Sequence, residues 1–128
     1  MTKVKVDELT IEGIVYVPKQ SQQLQAVNTD GLKAVLIRSD KAGVFFGFLK
    51  ESNATAAGLI VKLLNTRRVY YWDGAASLSQ MALEGVTKPK NCKFSVTLAE
   101  HQIVGVIEIL PLTDKAYSNL NSVEIWRQ

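Results

Sequence analysis

Apolar and β-branched residues fall along this chain mostly in short runs closed by turn residues, a rhythm that predicts strands more often than helices. The first run, Leu9–Val17, carries Ile11, Ile14, Val15 and Val17 and stops at Pro18, which predicts a strand. Residues 19–31 are polar and Gln-rich and predict a long mobile loop, read as a solvated linker with a lid over a ligand as the alternative. Four strand candidates follow closely: 33–38, 44–49, 57–64 and 67–72. The first two are separated by Ser39-Asp40-Lys41-Ala42-Gly43 and the last two by Asn65-Thr66, and such short spacing predicts an antiparallel meander.

After Asp73-Gly74 the period changes. Leu78, Met81 and Ala82 recur at i, i+3 and i+4, with Asp73 in the N-cap region and Gly85 at the far end, so a helix is predicted over 75–84. Two further strands are expected over 92–98 and 102–110, with Val104, Val106, Ile107 and Ile109 largely buried. Thr113 is a good N-cap for a helix over 114–120, and Val123–Trp126 is expected to close as an edge strand. The fold class is therefore α+β: a curved, mostly antiparallel β-sheet with two short helices.

The length of 128 residues suits a single domain and needs no disulfide or metal to bury a core. The single cysteine, Cys92, and the single histidine, His101, exclude an intrachain disulfide and Cys/His zinc chemistry, and both are read as structural residues. No cofactor and no metal site is expected. No signal peptide or membrane-spanning run is read, so a cytoplasmic location is expected. Residues 1–64 hold eight basic and six acidic residues and residues 65–128 hold seven and six, so neither half is a charged tail. The net charge of +3 suits an anionic ligand and makes nucleic acid an unlikely partner.

The densest chemistry lies in 67–77. On a strand, Arg68, Tyr70 and Trp72 share one face and Arg67, Val69 and Tyr71 the other. A guanidinium beside two aromatic rings suits a phosphate next to a stacked base, and packed arginine stems over ordinary sheet aromatics are the structural alternative. The small Ala75 and Ala76 at the predicted helix start, with Ser77, suit an anion. Lys88, Lys90 and Lys93 form a second basic group across a turn, read by default as a solvated loop and otherwise as a phosphate contact through Lys93. Glycine-rich phosphate loops, a Gly-x-Ser-x-Gly elbow and paired catalytic carboxylates are all missing, so the chain is not expected to be an enzyme.

From Val35 onward the chain resembles a family of small phage and prophage proteins. The resemblance rests on residues 36–44, on Asn65-Thr66-Arg67-Arg68-Val69-Tyr70-Tyr71-Trp72-Asp73-Gly74-Ala75-Ala76-Ser77-Leu78-Ser79-Gln80, on residues 91–94 and 106–111, and on Val123-Glu124-Ile125-Trp126. It implies a phage origin. In size, absent catalytic motifs and an aromatic-plus-arginine strand, the chain also looks like phage anti-defence nucleotide sponges of the anti-Thoeris and anti-CBASS kind. That likeness implies a non-enzymatic protein that sequesters a cyclic oligonucleotide or cyclic ADP-ribose messenger in the infected host. Its ligand contacts would be Arg67, Arg68, Tyr70, Trp72, Ser77 and Lys93. A phage structural or accessory interaction module is the alternative. The apolar Trp126 beside the terminus and the expected edge strand predict a homo-oligomer, at least a dimer.

Overall fold

The computed structural model describes residues 24–128 in full and Leu9–Ile11 and Ile14–Tyr16 by their backbone pairing. In place of one strand over 9–17 there are two, β1 (Leu9–Ile11) and β2 (Ile14–Tyr16), paired antiparallel. Glu12, Gly13, Val17 and residues 19–23 of the expected loop lie outside the described residues.

The described part of that Gln-rich stretch is anchored. Ala26 is buried, its N–H donates to Leu112 O at 2.8 Å, and its carbonyl accepts from Ala34 N at 2.8 Å. The Asn28 side chain closes the following turn by accepting from the N–H groups of Asp30 and Leu32, both at 2.9 Å.

Five strands carry the fold: β3 (Ala34–Ser39), β4 (Gly43–Thr55), β5 (Gly58–Tyr71), β6 (Lys93–Phe94) and β7 (Leu98–Pro111). All of their pairings are antiparallel. β4 pairs with both β3 and β5, and β7 also pairs with both, so four strands close into a ring. The two helices, α1 (Leu78–Glu84) and α2 (Asp114–Asn121), complete the α+β architecture.

Alternation along the strands fills two cores. Val35, Ile37, Phe45, Val61, Leu63, Ile103 and Val106, drawn from the four ring strands alone, form the barrel interior. Ala34, Leu36, Phe46, Phe48, Val69 and Phe94 point the other way and pack with Met81, Ala116 and Leu120 of the helices. Asn119 joins the helices, accepting from Val86 N at 2.7 Å and donating to Val86 O at 3.0 Å.

Strands this long close a small ring only by bending, and bulges supply the bends. Here the expected pattern needs correction. Asn65-Thr66 is not a turn: Asn65 takes a positive φ of 52° and β5 runs on through a bulge, pairing Leu64 with Phe48 and Arg67 with Phe46. In β7 the register shifts at Gly105, with φ 67°, and again opposite Arg38–Ser39. These shifts break the simple alternation, so Val104 and Ile107 are 57% and 55% exposed and Ile109 is also exposed, while Val106 is buried as expected. The expected strand over 92–98 shrinks to β6. Val123–Trp126 makes one parallel bridge, Ile125 with Phe94, instead of an edge strand. Among the described residues no helix is long and apolar enough to cross a membrane.

Candidate functional site

The two adjacent arginines have opposite fates because alternation sends them to opposite sides of β5. Arg67 enters the helix-side core, where it is 2% exposed. Its Nε donates to Ser95 O at 2.8 Å, Nη1 to Asn121 O at 3.2 Å and Leu120 O at 3.4 Å, and Nη2 to Glu124 O at 3.4 Å. Its guanidinium also lies over the Phe94 ring at 5.4 Å. Burial pulls its pKa below the usual arginine value, and the neighbouring Tyr117 partly offsets this. Arg67 therefore clamps the end of α2 and the C-terminal segment to the sheet; it is not placed to hold phosphate.

Arg68 faces the mouth of the barrel. It is exposed, its guanidinium sits 4.8 Å above the ring of Phe45, and no carboxylate or hydrogen-bond acceptor engages it among the described residues. Ser95 holds its backbone: Arg68 N donates to Ser95 Oγ at 2.7 Å and Ser95 N to Arg68 O at 2.9 Å. Ser95 Oγ in turn donates to Val96 O at 2.8 Å, so this hydroxyl is fully used. Beside Arg68 opens a pocket of about 300 Å³ lined by Thr66, Arg68, Ser95, Val96, Leu98 and His101.

His101 reaches this pocket from β7, packed edge-on against Phe45 with ring centroids 5.1 Å apart. Burial, and then repulsion from Arg68, pull its pKa below 6.5. The histidine read as structural from the sequence thus shares a floor, Phe45, with the free guanidinium. Nothing local in the sequence announces this. The signal is strand register, which sets Leu63 opposite His101 and Thr66 opposite Leu98.

The aromatic partners separate. Tyr70, 65% exposed, stacks on Trp126 with centroids 5.1 Å apart and planes inclined by 16°, and Lys93 Nζ lies 5.2 Å from the centre of the Trp126 ring. Trp72 does not join them. β5 ends at Tyr71 after a register shift, and the Trp72 indole packs against the helix-side core with Nε1 donating to Ala75 O at 3.3 Å.

Ser77 is also elsewhere. The helix begins at Leu78, three residues later than the spacing suggested, because Ser77 Oγ is the N-cap and accepts from Gln80 N at 3.1 Å. Ala75 and Ala76 precede the helix, so they do not form its first turn. Of the six expected contacts, Arg68, Tyr70, Lys93 and Ser77 lie exposed, with Trp126 added between Tyr70 and Lys93; Trp72 and Ser77 line a separate hollow with Arg38 and Glu108, and Arg67 is buried.

Cys92 is half-buried against Asp73 O and Lys88 O, and burial pushes its thiol pKa up, which makes it a poor nucleophile. Larger hollows of about 340, 400 and 370 Å³ occur beside Glu51 and Lys62, between Pro89 and Glu124, and beside Arg38, Trp72 and Ser77, respectively. Each mixes a basic side chain with a carboxylate, whereas the barrel-mouth pocket is lined by the Arg68 guanidinium and the His101 imidazole and by no acid. Among the described residues no cluster of His, Cys, Asp and Glu suits a metal ion.

The family described as a domain of unknown function (DUF6948) matches residues 32–120, a span from just before β3 to the last turn of α2. The chain belongs to this family. The match takes in the whole four-stranded ring and both helices, and with them Arg68, Tyr70, Lys93 and His101; Trp126 falls beyond it. No curated protein and no solved structure matches the chain.

Proposed function

We propose that this protein is a non-enzymatic binding module for a phosphate-bearing, nucleotide-type ligand, which it withholds from other proteins. One observation carries the reading: an arginine with no counter-ion among the described residues sits on the same strand, and on the same side, as a tyrosine stacked with a tryptophan. Guanidinium groups bind phosphate oxygens in pairs, and exposed rings accept a base by stacking. In this reading Arg68 contacts phosphate, and Tyr70, Trp126 and Lys93 form the base platform. The resemblance to phage proteins supports an anti-defence role against a cyclic oligonucleotide or cyclic ADP-ribose messenger in the cytoplasm of an infected bacterium. A homo-oligomer belongs to the same proposal, supported by the exposed Ile125 and Trp126.

Isothermal titration against cyclic di- and trinucleotides and cyclic ADP-ribose isomers tests this. Binding by at least one member is expected, weakened by about 1.5–3 kcal/mol in Arg68→Ala. A silent panel would sink the proposal. A second reading, a phage structural or accessory interaction module, is favoured by the exposed apolar ridge of Val104, Ile107 and Ile109 on β7. Copurification with virions, together with a silent panel, would decide for it.

A further inference from the structure

The hydroxyl of Thr66 breaks a rule that the rest of the barrel obeys. Thr66 is 1% exposed, and among the described residues its Oγ1 is the buried side-chain polar atom that lacks a hydrogen-bond partner. Buried hydroxyls are nearly always paired, and a valine would fill the same volume without that cost. The residue lines the barrel-mouth pocket beside Arg68 and His101.

Its surroundings leave space for that hydroxyl. Opposite it stands Gly47, where a Cβ would come within 2.9 Å of Leu64 O and 3.1 Å of Thr66 Oγ1. The nearby carboxylates are engaged elsewhere. Glu100, the neighbour of His101 in sequence, pairs with Lys62 at 3.4 Å and Lys50 at 3.9 Å, and Glu108 pairs with Arg38 at 3.2 Å. Arg68, His101 and Thr66, the last with its unpaired hydroxyl, therefore line one pocket that has no counter-charge among the described residues.

We infer that this mouth is the seat of a tetrahedral oxyanion, a phosphate group held by the Arg68 guanidinium, the Thr66 hydroxyl and the imidazolium of His101. The phosphate reaches it either as the free ion or as part of a phosphate ester, and the binding chemistry is the same. The inference rests on the reading of Arg68 as an anion contact and names its partners. The Phe45 ring supports both the guanidinium and the imidazole, so little side-chain freedom is lost when the anion arrives. Within the pocket, Arg68 is the charged group that faces His101.

Because the chain has a single histidine, its ring resonances report the site unambiguously. Their pH titration is followed by NMR with and without inorganic phosphate, and calorimetry near pH 6 measures binding of inorganic phosphate and of adenosine 5′-monophosphate. Phosphate is expected to move the His101 midpoint upward, since a bound anion favours the protonated ring. Thr66→Val is expected to melt no lower than the unaltered protein and to bind phosphate roughly tenfold or more weakly, and Arg68→Gln to weaken it similarly. An unmoved His101 midpoint overturns the inference. So does a Thr66→Val protein that loses stability and binds phosphate normally, because its hydroxyl would then be serving the fold. Phosphate binding with a silent nucleotide panel keeps the seat and removes the nucleotide. Nucleotide binding that is indifferent to Thr66→Val and His101→Gln keeps the proposed function and removes the seat.

Discussion

Replacing Arg67 by methionine separates its structural role from the exposed role of Arg68. Methionine keeps much of the stem over Phe94 but removes every donor of the clamp. Two of the four bonds are well made, to Ser95 O at 2.8 Å and Asn121 O at 3.2 Å; the two at 3.4 Å are long. Each good bond from a charged donor contributes about 1.5–3 kcal/mol, and carbonyls left buried without a donor add to the loss. Against this stands the cost of burying the charge, which is relieved in the variant. The net expectation is a destabilisation of about 3 kcal/mol, a large share of the roughly 5–15 kcal/mol that holds a domain, with a fall in Tm on the order of 10 °C. Arg68→Met removes only an exposed side chain and one contact over a ring, and is expected to cost less than about 1 kcal/mol. Urea unfolding followed by tryptophan fluorescence measures both. Trp126 gives a local readout as well, since the Glu124 carbonyl held by Arg67 lies two residues before it. If Arg67→Met and Arg68→Met proved equally mild, the clamp would be decorative and the assignment of the two arginines to separate roles would fail.

Two further outcomes follow from the same geometry. His101 titrates below 6.5 in the fold, so the fold favours its neutral form. The stability this contributes is complete above about pH 6.5 and is lost as pH falls through the lowered value. Urea midpoints of the unaltered protein and His101→Gln, measured without phosphate, should therefore diverge between neutral and mildly acidic pH, and parallel curves would contradict the burial of His101 beside Arg68. Ser77→Ala removes the N-cap of α1 and is expected to cost about 1 kcal/mol in thermal melts while leaving ligand affinity unchanged. A loss of affinity at full stability would return Ser77 to the binding site.

Much of the architecture was legible because local chemistry and tertiary structure agree where caps and turns are strong. Thr113 caps α2 as expected, its Oγ1 accepting from Ala116 N at 3.0 Å and donating to Leu83 O at 2.8 Å, and Gly85 ends α1 with a φ of 82°. The errors gather where one residue does two jobs. Asn65 has the polarity of a turn residue, yet the same tolerance of positive φ lets it sit inside a bulge and keep β5 continuous. The apolar residues of β7 looked largely buried because periodicity cannot announce a register shift in advance. Gly105 is the one residue there that signals it.

The candidate site was half legible for a deeper reason. Alternation correctly set Arg67 and Arg68 on opposite faces of one strand, but it cannot say which face is wet. In a sheet with one solvent-facing side, the charged set would identify the surface. In this fold both faces of β5 are covered, one by the barrel interior and the other by the helix layer. Arg68 escapes where the barrel opens, past Phe45, and that position depends on ring closure between β4, β5 and β7. Closure is a long-range property, and it brings His101 of β7 to Arg68, whereas Thr66 shares Arg68's side of β5 by simple alternation. The same closure turns the aromatic reading around. Tyr70 follows Arg68 out of the barrel and meets Trp126, whose backbone N–H is pinned to Phe94 O at 2.9 Å, while Trp72 lies beyond the strand's end and is drawn back into the helix-side core. Of the arrangement expected within 67–77, Arg68 and Tyr70 share a side of β5, and the ring stacked on Tyr70 comes from the C-terminal segment instead of from Trp72.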